Sequence, residues 1–206
     1  MATKKTKPAK KAATKKAPKL TFKKDDYIVY PAHGVGRVTG VERELIADFD
    51  IEVYVVVFEQ DKMTLRVPTD KAKRSGMRAL ANENVMKDAF TTLKGRPRIK
   101  RTMWSRRAQE YESKINSGDL ILLSEVVRDL YRTEDQPDQS YSERQLYECA
   151  IDRMVREVAA VMDLDHGAAM DKVVDTLMAA RARAAAKLAA KKEAESENED
   201  GSEAAA

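Results

Sequence analysis

The chain has 206 residues, 35% of them charged, with a formal net charge of +4 and a single cysteine. No apolar run approaches the roughly 18 residues that span a bilayer, and the basic N-terminus leads into no apolar stretch of the kind a secretory signal needs. Cys149 alone cannot make an intrachain disulfide, so the expected setting is the reducing cytoplasm, with no membrane partner and one or two domains.

The first 19 residues, MATKKTKPAKKAATKKAPK, hold eight lysines and no acid. Repelling lysines and scattered prolines cannot offset the entropy of ordering, which predicts a disordered tail. Such a tail either attracts nucleic-acid phosphates loosely or only keeps the chain soluble. Residues 191–206 hold two lysines against six acids. The whole chain has 38 basic and 34 acidic residues, so the stretch 20–190 keeps 28 of each and is formally neutral. Any affinity for DNA must come from a local cluster or from the lysine tail.

From Phe22 onward, DYIVYP, GVGRVTGVEREL, IEVYVVVFEQ and MTLRVP are short runs rich in Val, Ile, Tyr and Phe. HG, DFD and EQDK separate them as turns separate antiparallel strands. Four or five strands in so short a span predict a small barrel or curled sheet. Gly34, Gly36 and Gly40 fall where such a sheet bends or bulges. They do not make a dinucleotide fingerprint, because neither the rest of the motif nor a helix follows.

After TDKAKRSGMRAL the spacing becomes helical. Apolar stripes run through NENVMKDAFTTLK (Val85, Met86, Phe90, Leu93), WSRRAQEYESKI (Trp104, Ala108, Tyr111, Ile115) and DLILLSEVVRDLYR (Leu122, Leu123, Val126, Val127, Leu130). SERQLYECAIDRMVREVAAVM opens with a capping box expected at Ser142 and Gln145, then shows Leu146, Ala150, Met154, Val158 and Val161. DHGAAMDKVVDTLMAA supplies a last helix. These stripes predict a bundle of about five helices, with Met154 and Met170 as core fillers and Cys149 packed as a small hydrophobe. From Arg181 the chain turns Ala-rich and then acidic, and is expected to be mostly disordered. Its terminal alanines, Ala204 to Ala206, resemble ends that bacterial unfoldase–protease complexes capture.

Signs of an enzyme are poor, and neither a cofactor nor a metal is expected. His33 and His166 have no partner at metal-ligand spacing, and no phosphate-binding loop occurs. The positive feature is residues 94–107, KGRPRIKRTMWSRR, with Lys94, Arg96, Arg98, Lys100, Arg101, Arg106 and Arg107 and no acid. Pro97 disfavours helix at Arg96, which predicts a loop that enters a helix near Trp104 or Ser105. Arginines at a helix start aim donors and the helix dipole at phosphate. An apolar ring beside them can wedge into a minor-groove step where DNA is already opening. Alternatively, Trp104 caps the bundle and the arginines form a solvated face.

FKKDDYIVYPAHGVGRV, TLRVP, MWSRR and GDLILLSEVVRDLYR together closely resemble the CarD/CdnL family of bacterial RNA polymerase-binding transcription regulators, over roughly residues 20–180. The resemblance implies an α+β fold. A small Tudor-like or SH3-like β-barrel at 20–75 docks on the RNA polymerase β subunit, and a helical domain at 76–180 contacts promoter DNA. Flanking these are the lysine tail at 1–19 and the Ala-rich to acidic tail at 181–206. It implies that Trp104 wedges into the minor groove at the upstream edge of the promoter bubble and stabilises the open complex. Arg66 and Pro68 match the family's polymerase-contact positions, with Arg43 a weaker match because VERELI departs from relatives that carry a slightly displaced basic residue. Arg106 and Arg107 match the basic residues beside the wedge, and Arg98, Lys100 and Arg101 extend the DNA-facing patch. A monomer acting at the nucleoid is expected. The competing readings are a free-standing architectural DNA binder and a peptide-binding Tudor-like adaptor.

Overall fold

The computed structural model describes residues 21–46, 49–133 and 136–203, with side chains throughout except at Ile46, Phe49 and residues 190–203. The lysine-rich segment 1–19 and the terminal alanines lie outside the described residues.

The strand-rich half forms an antiparallel sheet of β1 (Tyr27–Tyr30), β2 (Gly34–Ile46), β3 (Phe49–Phe58), β4 (Met63–Pro68) and β5 (Arg78–Ala79), in the order β4-β3-β2-β1-β5. Strand alternation sends Val38, Tyr54, Val56, Phe58 and Val67 to one face, where they bury with Ile28 and Phe22. The expected bulge is present, between Val38 and Gly40, where one extra residue on β2 breaks the register with β3. Gly34 opens β2 at a φ of +76°, a conformation the turn from β1 requires and glycine adopts without strain.

The sheet does not stop at residue 75. Two strand pairs, Ile28 with Ala79 and Val29 with Arg78, add β5 to the free edge of β1, and Ala72 and Met77 belong to the sheet's core. A two-residue strand has no periodicity of its own, so only its partner reveals it.

The helical half is α1 (Glu83–Leu93), α2 (Trp104–Ile115), α3 (Leu120–Leu130), α4 (Tyr141–Met162) and α5 (His166–Glu203). Their apolar stripes meet in one core that contains Met86, Leu93, Tyr111, Ile115, Val126, Val127, Met154, Val158, Val173 and Leu177.

Three local expectations change. The capping box of α4 sits two residues earlier, at Ser140 and Glu143: the Glu143 amide donates to Ser140 Oγ at 3.3 Å, and the Ser140 amide donates to Glu143 Oε2 at 3.1 Å. Both serines are followed three residues later by Glu or Gln, and the ionised side chain gains more at the positive end of the helix. Cys149 is exposed, not packed. The stripe of Ala150, Ile151, Met154, Val155 and Val158 faces the core, and at 100° per residue Cys149 is turned away from its centre. Finally, α5 continues past Arg181 to Glu203. Alanine is the best helix former, and no glycine or proline interrupts the run before Gly201.

Candidate nucleic-acid interface and docking face

Residues 96–103 form an irregular loop between α1 and α2, as Pro97 predicts, and α2 begins at Trp104. Met103, in the N-cap position, supplies no side-chain acceptor and is 80% exposed. The first turn of α2 contains no acid, so its positive end is left open. Lys94, Arg96, Arg98, Arg101 and Arg106 are exposed, and among the described residues none has a carboxylate at ion-pair distance. Lys100 differs. Its ammonium bonds Glu110 at 2.7 Å, and that bond lowers the Glu110 pKa below the usual carboxylate range.

Trp104 is half-buried. Its inner side packs against the helical core and lies 6.4 Å from the Tyr111 ring, and its indole Nε1 donates to Ser142 Oγ at 3.0 Å. The Arg107 guanidinium carbon lies 5.4 Å from the indole centroid, at cation–π distance. One side of this tryptophan therefore caps the bundle, and the rest stands at the surface.

The loop is fixed by a residue the sequence did not single out. Asp129, on α3, is buried, accepts from the Arg98 backbone amide at 3.0 Å and pairs with Arg128 at 2.8 Å. Nothing local marks it out, because α3 carries a second acid, Glu125, which is only half-buried and pairs with Lys114 at 2.7 Å.

On the sheet, Arg66 and Pro68 point to the same face as Glu42 and Glu44, and Arg66 forms ion pairs with Glu44 at 2.7 Å and with Glu42 at 3.7 Å. Arg43 does not join them. The strand alternation turns it to the opposite face, where it pairs with Glu52 at 2.9 Å beside the exposed Leu45.

Residues 22–81 match the family model of the CarD-like/TRCF RID domain, and residues 88–175 match that of the CarD C-terminal domain. The chain belongs to the CarD/CdnL family. The first CarD match extends to residue 81 and so takes in β5. A relative named "Putative transcription factor YdeB", from Bacillus subtilis (strain 168), is 26% identical over 140 residues, which span 68% of this CarD/CdnL chain and 92% of that protein. The CarD family is a class of transcription regulators rather than a group of enzymes. Among the described residues, no cluster of His, Cys, Asp and Glu could hold a metal, and no helix is long and apolar enough to cross a membrane.

Proposed function

We propose that this regulator docks on the RNA polymerase β subunit through the Arg66–Pro68 face and stabilises the open promoter complex through the Trp104 loop. In this reading Trp104 and Met103 present apolar surface to a minor-groove step at the upstream edge of the bubble. Arg98, Arg101 and Arg106 neutralise phosphates, with Lys100 and Arg107 at their side. Contacts of this kind position a protein but read no sequence. Specificity then comes from the polymerase and from DNA that is already opening.

The observation that carries the reading is the half-exposed indole at a helix start with no side-chain cap and no acid in its first turn, with Arg107 at cation–π distance and with exposed Arg101 and Arg106 close in sequence, neither at ion-pair distance from a carboxylate among the described residues. Docking supports the DNA contact by raising its local concentration, so the second contact becomes intramolecular. Arg43, on the other face, is at most a secondary contact with polymerase. The protein acts at the nucleoid in the cytoplasm.

The test is a pull-down with the isolated polymerase β domain, beside open-complex lifetimes on a σ-dependent promoter. Docking through the sheet and a longer lifetime are expected. DNA binding without any polymerase binding would instead favour a free-standing architectural protein.

A further inference from the structure

The helix that carries Trp104 is anchored to the sheet at its far end. Arg153, on α4, donates from Nη1 to Pro31 O at 2.8 Å and from Nη2 to Ala32 O at 2.9 Å, both in the turn between β1 and β2. The same Nη1 donates to Ile115 O at 3.1 Å and Asn116 Oδ1 at 3.2 Å, at the C-terminus of α2. One guanidinium thus caps orphan acceptors of α2 and of the sheet together.

A second clamp lies beside it. Arg78, on β5, donates from Nε to Gly118 O at 2.6 Å in the turn that follows α2. Its two terminal nitrogens bond both Glu157 carboxylate oxygens, at 2.6 and 2.9 Å. The Glu157 side chain is only 3% exposed and also accepts from the Ala81 amide at 3.1 Å. Pro31 is wedged between Gly76 and Gly118, both at positive φ, where added β-carbons would come within 2.7 and 3.1 Å of its ring. Arg156 adds a bond from α4 to Asp61, at 3.1 Å.

Arg153, Arg156 and Glu157 follow i, i+3, i+4 spacing, so one face of α4 is given over to these polar contacts. A face serving stability alone would more simply be apolar, because a buried ion pair is often no better than the hydrophobic residues that could replace it. Directional bonds instead select one orientation.

We infer that Arg153, Arg78 and Glu157 are positioning residues: they hold α2 as an arm of fixed direction on the sheet, so that docking of the sheet places Trp104 on the DNA. This rests on the two-contact reading above. Neither contact surface includes these residues, so each isolated contact survives their loss and only the combination suffers.

The experiment compares the full chain with its Arg153→Ala, Arg153→Lys and Glu157→Gln variants. Four quantities are read: polymerase β-domain pull-down, affinity for a short forked DNA without polymerase, open-complex lifetime, and relative tumbling of the two halves by NMR relaxation. Pull-down and fork affinity are expected to stay as in the parent. In Arg153→Ala the two halves should reorient independently and the lifetime fall by roughly tenfold or more, as effective concentration drops. Arg153→Lys should behave like Arg153→Ala, because a single ammonium cannot span four fork-directed contacts. Glu157→Gln, which keeps the side-chain shape and removes the charge, should fall between them and the parent.

A parent-like lifetime in a variant whose halves tumble separately would overturn the inference. So would joint tumbling in all three variants, or loss of either isolated contact in Arg153→Ala. Failure of the parent itself to bind the polymerase domain would remove the docking reading instead.

Discussion

Trp104 Nε1 donates to Ser142 Oγ at 3.0 Å, linking the first residue of α2 to the first turn of α4. The Ser142 hydroxyl is available for this because the capping role belongs to Ser140. The bond fixes the edge of the indole, while Arg107 lies at cation–π distance from the ring. The ring is therefore presented at the surface in a defined orientation.

Trp104→Ala should shorten the open-complex lifetime without loss of polymerase docking. A base contact of the stacking kind is worth about 1–3 kcal/mol, which corresponds to roughly ten- to a hundredfold in lifetime. Because the ring is half-buried, a stability loss of about 1–2 kcal/mol should accompany it. Chemical denaturation and promoter-complex challenge assays separate the two effects. A cooperative loss of fold at ambient temperature would make Trp104 a core residue only.

Arg66→Glu should abolish docking and leave the protein folded. The side chain is more than half exposed, and the new carboxylate would face Glu42 and Glu44, giving three like charges where one cation now pairs with two carboxylates. Arg43→Glu should have a much smaller effect, since it lies on the other face. Co-purification with polymerase checks both, and equal losses would mean that the docking surface wraps around the edge of the sheet.

Arg106→Ala should lower the slope of log affinity against log salt by about 0.9, the value expected for one lost phosphate contact on duplex DNA. Lys100→Ala should lower it less, because Lys100 is held by Glu110. Anisotropy titrations on a forked duplex over a range of salt measure this. Identical slopes in Arg106→Ala and the parent would show that Arg106 faces only solvent.

Asp129→Ala should destabilise the helical half by about 3–5 kcal/mol, because it leaves the buried Arg128 guanidinium without its carboxylate. It also frees the Arg98 amide and with it the loop that carries the basic patch. Urea unfolding gives the first effect, and hydrogen exchange at residues 96–103 gives the second. Unchanged exchange there would mean that the loop is held by its other contacts.

Much of this organisation was legible in the amino-acid order because it is local. Alternation in IEVYVVVF predicts a strand, and 3.6-residue spacing in LILLSEVVRDL predicts a helix with one apolar face. Pro97 ends helical preference before the loop, and the charge run in KGRPRIKRTMWSRR stands out from a neutral body without any structure. The order of motifs was enough to point to the CarD/CdnL family.

What tertiary structure decided are relations between residues far apart in the chain. Arg78 and Glu157 are separated by 79 positions, and nothing local to either marks them as partners. The edge strand β5 exists only because β1 offers an unpaired edge. Asp129 looks like one more helix charge until α3 is packed and its carboxylate is enclosed beneath the loop. Arg43 and Arg66 could be assigned to one surface in a linear reading. Register with β3, shifted by the bulge before Gly40, places them on opposite faces. Periodicity follows from backbone geometry over a few residues, whereas register, burial and long-range pairing are settled only when elements distant in sequence pack.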